Sequence, residues 1–281
     1  PYTSSAASDV YKRQLLGFWL QPHRPPCGGR CIATEFQPAA LPTSGRVADG
    51  PQFCDRGAEC SEPSPALTMA GRFLVLEGID GCGKTTQLKL LSQWLPGSGL
   101  MPAGATLLLT REPGGTPLGK ALRELLLHPP QDSAPSPTAE LLMYAADRAQ
   151  HVEHLIRPAL DRGDWVLSDR FSGSTLAYQG DGRGLDASTI RDLERIATAG
   201  VTPDLTLWLD LPIAVSLRRR QEQMADRIEA EGTAFLARVA EGFRSLAGER
   251  GWAAVAADRT PEQVQRSIRA QVEAKAAQGW I

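Results

Sequence analysis

Residues Gly78-Ile79-Asp80-Gly81-Cys82-Gly83-Lys84-Thr85, with Thr86 behind them, satisfy the pattern G-x-x-x-x-G-K-[ST] at every fixed position. The apolar run Phe73-Leu74-Val75-Leu76 precedes the motif and reads as a buried parallel strand. Gln87 to Leu95 follow it with apolar residues at helical spacing. A strand, a glycine-rich turn and a helix are the setting in which this motif binds phosphate. Glycines at 78, 81 and 83 allow positive φ and a close approach of the backbone to an anion. The loop amides and the helix N-terminus then point at that anion. Lys84 is expected to reach the β- and γ-oxygens of a nucleotide, and the Thr85 hydroxyl to take a place on Mg²⁺.

The rest of the body supports one α/β domain. Apolar runs at 73–77, 106–110, 165–169, 205–210 and 253–257 read as strands. Amphipathic stretches at 84–95, 117–127, 137–161, 186–199, 212–228, 233–248 and 261–277 read as helices between and after them. Strands alternating with helices imply parallel pairing through crossovers. Thr260-Pro261-Glu262-Gln263 predicts a capping box at the start of the last helix. Net charge is only −2, so the whole chain shows no nucleic-acid or membrane footprint. No run approaches the ~18 apolar residues of a membrane span.

Residues 1–68 differ from the body. They are rich in Pro, Gly, Ser and Ala, lack a helix or strand period, and hold Cys27, Cys31, Cys54 and Cys60, four of the five cysteines. The first methionine is Met69, directly before the first strand. We therefore expect a non-native or disordered leader over 1–68 and a functional domain over 69–281. A transit peptide should be poor in acids, but the leader's six acidic residues equal its six basic ones. The C-x3-C and C-x5-C spacings are not those of common zinc ribbons. No disulfide framework is indicated, which points to a reducing, cytoplasmic setting.

In an open parallel sheet, ligands bind at the carboxyl ends of the strands. The polar residues that follow the strands should therefore share one edge: Glu77 and the phosphate loop, Thr110-Arg111-Glu112-Pro113-Gly114-Gly115, Ser168-Asp169-Arg170, and Asp210. Arg111 and Arg170 each suit a bidentate grip on a phosphate, although either alone could be a surface arginine. Asp169 could hold Mg²⁺ through water, orient an acceptor, or pair with an arginine. Tyr144 and Arg148 stand at i and i+4 on one predicted helix, where a ring can stack on a base and a guanidinium can bond its edge. Core plus surface is the plain alternative for that pair. The hydroxyls and amide of Ser172 to Gln179 suit a sugar or base.

Across residues 71 to about 275 these segments, in this order, resemble the thymidylate kinase family. Besides the phosphate loop, the matching stretches are Thr110 to Gly115, Ala139 to Tyr144 through Asp147-Arg148, Asp169-Arg170, Ser174 to Gly180, Pro203 to Thr206 and Asp226-Arg227-Ile228-Glu229. The resemblance implies a doubly wound, five-stranded parallel sheet of the P-loop nucleoside monophosphate kinase type, usually homodimeric. It implies transfer of the γ-phosphoryl group of ATP to dTMP with Mg²⁺. It places thymine on Tyr144 and Arg148, the sugar near Asp80, the acceptor phosphate on Arg111 and Arg170, and the nucleoside among Thr175, Tyr178 and Gln179. A mobile lid is implied at about 217–229. The phosphate loop lacks an arginine, so in the bacterial-type arrangement Arg219, Arg220 or Arg227 would act on the transferring group. Gln221 and Gln223 stand where lid arginines are often found.

Two rival readings are weakened by the residues. A kinase for an unphosphorylated nucleoside would not need both Arg111 and Arg170. A GTP-binding switch needs N-K-x-D, which does not occur.

Overall fold

The computed structural model describes residues 71–130, 133–220, 227–228 and 231–280. The leader lies outside them, as do 221–226 and 229 of the expected lid. Five strands form one parallel sheet in the order β2-β3-β1-β4-β5: β1 Arg72–Glu77, β2 Leu107–Arg111, β3 Trp165–Asp169, β4 Leu205–Asp210 and β5 Ala253–Ala256. β1 is central, and its sequence explains why. Phe73, Leu74, Val75 and Leu76 are all buried, as a strand covered by helices on both faces requires. Leu74 and Leu76 join Trp165, Leu167, Leu207 and Leu209 on one face. Phe73 and Val75 join Val166 and Phe171 on the other.

Helices cover both faces. α1 (Lys84–Trp94) and α9 (Pro261–Ala277) bring Leu91, Val264, Ile268 and Val272 to the larger cluster. α3 (Pro137–His151) runs on through a wider π turn, Val152–Ile156, into α4 (Arg157–Asp161), which cover the opposite face with Val152, Ile156 and Ala159. α2 (Pro117–Leu127), capped by the Thr116 hydroxyl, packs on α3. α6 (Ala187–Thr198), α7 (Ile213–Arg220) and α8 (Thr233–Arg250) complete the body. The predicted capping box of α9 is present: the Thr260 hydroxyl accepts from Gln263 N–H, and the Gln263 side chain accepts from Thr260 N–H.

One helical segment has no counterpart in the sequence reading. α5 (Ser172–Thr175) continues as a π-helical stretch, Leu176–Gly182. Its glycines and small hydroxyls are poor helix formers. Tertiary contacts hold it instead. The Glu77 carboxylate accepts from the Phe171 and Ser174 amides at 3.0 and 3.1 Å and from the Ser174 hydroxyl at 2.6 Å, capping the segment from the end of β1. Phe235 and Phe243 of α8 pack on Tyr178.

Candidate active site

The phosphate loop bridges β1 and α1. Gly78, Gly81 and Gly83 have φ of 141°, 76° and 94°, in the region the sequence expectation required. Lys84 is buried against the loop; its Nζ donates to the carbonyls of Gly78 at 2.9 Å and Ile79 at 3.0 Å. Thr85 and Thr86 are exposed at the start of α1. The Thr85 hydroxyl donates to Asp169 Oδ2 at 3.3 Å, while Asp169 Oδ1 is buried and accepts no hydrogen bond. A hard cation bound mainly by nucleotide phosphates and water fits that unused oxygen and adjoining hydroxyl. Among the described residues no three His, Cys, Asp or Glu side chains could hold a metal together.

α7 lies against the loop. Ser216 Oγ donates to the Asp80 carbonyl at 2.7 Å, and Arg219 donates to the carbonyls of Gly81 at 3.2 Å and Ala257 at 3.0 Å. The Arg220 stem packs beside Gly81. A cleft opens over the loop, lined by Lys84, Thr85, Arg111, Asp169 and Arg219 among others.

A smaller cavity adjoins that cleft. Asp80, Tyr144, Arg148, Arg170, Thr175, Tyr178 and Gln179 all line it, so seven of the eight residues expected to bind the acceptor come together. The eighth, Arg111, lines the cleft over the loop instead. Asp80 and Arg170 border both spaces.

Arg170 is the hinge between them. It adopts φ 73°, an uncommon conformation for a side chain with a Cβ. Its guanidinium donates to the Gly78 carbonyl and the Ser174 hydroxyl, both at 2.9 Å, and to the Asp80 carboxylate. It also lies over the Tyr178 ring. The Tyr178 hydroxyl donates to the other Asp80 oxygen at 2.7 Å. Burial opposes the charge on Asp80, but Arg170 and Lys84 outweigh it and hold the carboxyl well below the usual range. Burial pushes Glu77 up, only partly offset by Ser174 and Arg170.

Arg148 is buried in the cavity wall. Its Nε donates to Glu112 Oε2 at 2.9 Å, and its Nη2 to Thr175 Oγ1 at 2.9 Å and the Phe171 carbonyl at 3.2 Å. Arg227 lies away from the phosphate loop. It donates to the Leu126 carbonyl at 2.9 Å and to Glu140, which also accepts from Gln179 and Arg183, each at 2.7 Å. Of the three candidate lid arginines, then, Arg219 and Arg220 lie on the loop and Arg227 lies on Leu126 and Glu140. Glu112, Glu140, His151 and Arg183 were not singled out by the sequence reading. Their partners are distant in sequence, and only Glu140 and Glu112 fell within stretches that carried the family resemblance.

The model of the family described as "Thymidylate kinase" matches residues 76–268, which span both the loop and the cavity. The chain belongs to the thymidylate kinase family. A thymidylate kinase of Synechococcus sp. (strain WH7803) is 72% identical over 209 residues, covering 74% of this chain and 98% of that protein. That of Parasynechococcus marenigrum (strain WH8102) is 70% identical over 200 residues, covering 71% and 96%. The crystal structure of thymidylate kinase from Ehrlichia chaffeensis aligns with TM-score 0.59 at 31% identity, covering 72% of this chain and 99% of that one. Like other thymidylate kinases, the protein is a phosphotransferase with a P-loop α/β fold. Among the described residues no helix is long and apolar enough to cross a membrane.

Proposed function

We propose that this thymidylate kinase transfers the γ-phosphoryl group of ATP to the 5′-phosphate of dTMP, giving dTDP and ADP. The observation that supports this most is the adjacency of two spaces. A cleft over Lys84 and Thr85 meets a cavity bearing Tyr144, Arg148, Thr175 and Gln179, with Asp80 and Arg170 on their common border. ATP suits the first space, and a nucleoside with a phosphate directed at Arg170 suits the second.

The chemistry needs little from a base, because the attacking 5′-phosphate oxygen already carries charge. A new bond forms from that oxygen to the γ-phosphorus, and the bond from the γ-phosphorus to the β,γ-bridging oxygen breaks with its electrons going to ADP. Catalysis is positioning together with charge neutralisation. Lys84 would leave the Gly78 and Ile79 carbonyls for the β/γ oxygens. Thr85 and Asp169 would hold Mg²⁺, which when bound neutralises phosphate oxygens. Arg111 and Arg170 would grip the acceptor phosphate. Arg219 and Arg220 would face the transferring group from the loop side, and Arg227 would act from the acceptor side through Glu140. Tyr144 would stack on thymine, and Asp80 would sit near the sugar. The protein would work in the cytoplasm as a homodimer.

The test is ADP release from Mg-ATP with dTMP, dUMP, dCMP, dGMP, dAMP, UMP and thymidine. A rate far highest with dTMP is expected. Equal ADP release without any acceptor would make the chain an ATPase and refute the assignment of Arg111 and Arg170.

A further inference from the structure

Arg148 can read a base edge only if its guanidinium is fixed in one plane. Two of its nitrogens, Nε and Nη2, are already committed to Glu112, Thr175 and the Phe171 carbonyl, and none of these bonds uses Nη1. Glu112 therefore determines where the remaining donor points, and Glu112 is itself held from behind. Its other oxygen, Oε1, lies 2.8 Å from His151 Nδ1, and His151 Nε2 lies 2.6 Å from Thr110 Oγ1. A carboxylate can only accept, so Nδ1 carries the proton, and in the neutral tautomer Nε2 accepts from the Thr110 hydroxyl. Arg148, Glu112 and His151 are 3%, 4% and 0% exposed, so these bonds are largely shielded from bulk water.

The chain of bonds begins and ends in one place. Thr110 lies in β2 and Glu112 just past its end, while His151 and Arg148 stand one turn apart on α3. The loop leaves the ring no room to swing. A Cβ on Gly115 would come within 2.7 Å of His151 Cδ2 and Nε2 and within 2.8 Å of Thr110 Oγ1. Without the imidazole, Oε1 would be a buried acceptor lacking a donor, and the carboxylate would turn both oxygens toward Arg148. The guanidinium plane would rotate with it.

We infer that His151 is a positioning residue for acceptor-base recognition, acting through Glu112 to fix Arg148, with Thr110 as its anchor. This rests on the proposed reading of Arg148 as the base-edge donor. A histidine that merely filled the core would not need a polar chain ending at a cavity-lining guanidinium.

The experiment uses the full-length enzyme and the variants His151→Leu, Thr110→Val, Arg148→Ala and the double variant His151→Leu/Arg148→Ala. KM for dTMP, KM for ATP, kcat and Tm are measured for each. For His151→Leu, KM for dTMP should rise about tenfold, the scale of one buried charge-assisted bond, with KM for ATP and kcat within about twofold of wild type. Thr110→Val should show the same pattern at a few-fold, and it carries the test if His151→Leu fails to fold. The double variant should have a KM for dTMP no higher than that of Arg148→Ala alone, because both changes remove one device. An unchanged KM for dTMP in the single variants, equal losses across dTMP, ATP and kcat, or multiplying penalties in the double variant would overturn the inference. If Arg148→Ala itself leaves KM for dTMP unchanged, the base-reading role of Arg148 fails, and the inference fails with it for that separate reason.

Discussion

At the scale of single residues, Asp147 shows how the site trades stability for geometry. Its Oδ1 accepts from the Gly114 amide at 3.0 Å, fastening the loop after β2 to α3, while its Oδ2 is buried without a partner. Burial first, and then the nearby Glu112 charge, push its pKa up to about 6 from 3.8. Between those two values the folded protein holds a proton that the unfolded chain has lost. Stability from this group is therefore full below about pH 4 and falls as pH rises to about 6, by an amount on the order of 3 kcal/mol at most. Asparagine keeps the acceptor for Gly114 and removes the charge. We expect Asp147→Asn to melt higher than wild type at pH 7, with the gap shrinking toward pH 4. A gap that stays constant or reverses across that range would show that the carboxylate is not under strain.

Elements tell a different story about what local sequence can reveal. All five strands fall within a residue of their predicted ends, and 117–127 and 261–277 are helices as read, because apolar periodicity and caps are local signals. The phosphate loop was legible for the same reason. The 172–182 segment was not, because a cap from Glu77 and packing on α8 come from far along the chain. The Glu112 contacts to Arg148 and His151 span 36 and 39 residues, so no window of sequence holds both ends. Packing of α8 on the π-helical stretch also sets a prediction. A Cβ at Gly182 would meet Phe235 at 2.7 Å and Val239 at 2.9 Å, whereas one at Gly248, within α8, meets nothing within 4 Å. Gly182→Ala should cost about 1–3 kcal/mol from overpacking and raise KM for dTMP, since Tyr178 and Gln179 ride on that stretch. Gly248→Ala should instead stabilise by roughly 0.5–1 kcal/mol through helix propensity. Chemical denaturation of the pair decides it: equal shifts would mean that the close approach does not constrain the segment.

Across the whole molecule, the sheet order puts the loop after β1 beside the ends of β3 and β4, so one edge carries both proposed substrate spaces. Other surfaces are left to make the proposed homodimer. Leu118 and Leu125, two turns apart on one face of α2, are 49% and 48% exposed, and Leu142 on the adjacent α3 is 51% exposed. Half-exposed leucines on neighbouring helices suit an isologous contact with a second copy of the chain. The same two helices carry Tyr144, Arg148 and Arg123 to the proposed acceptor cavity, so a dimer made there would brace its wall. Light scattering should therefore give twice the 30.3 kDa of one chain, and Leu118→Glu with Leu125→Glu should halve that mass. The monomeric variant should bind dTMP more weakly than ATP relative to wild type, because α2 and α3 lose their support while the phosphate loop does not. A wild-type mass of one chain across the micromolar range would remove the dimer, and a monomeric variant with an unchanged KM for dTMP would remove the bracing.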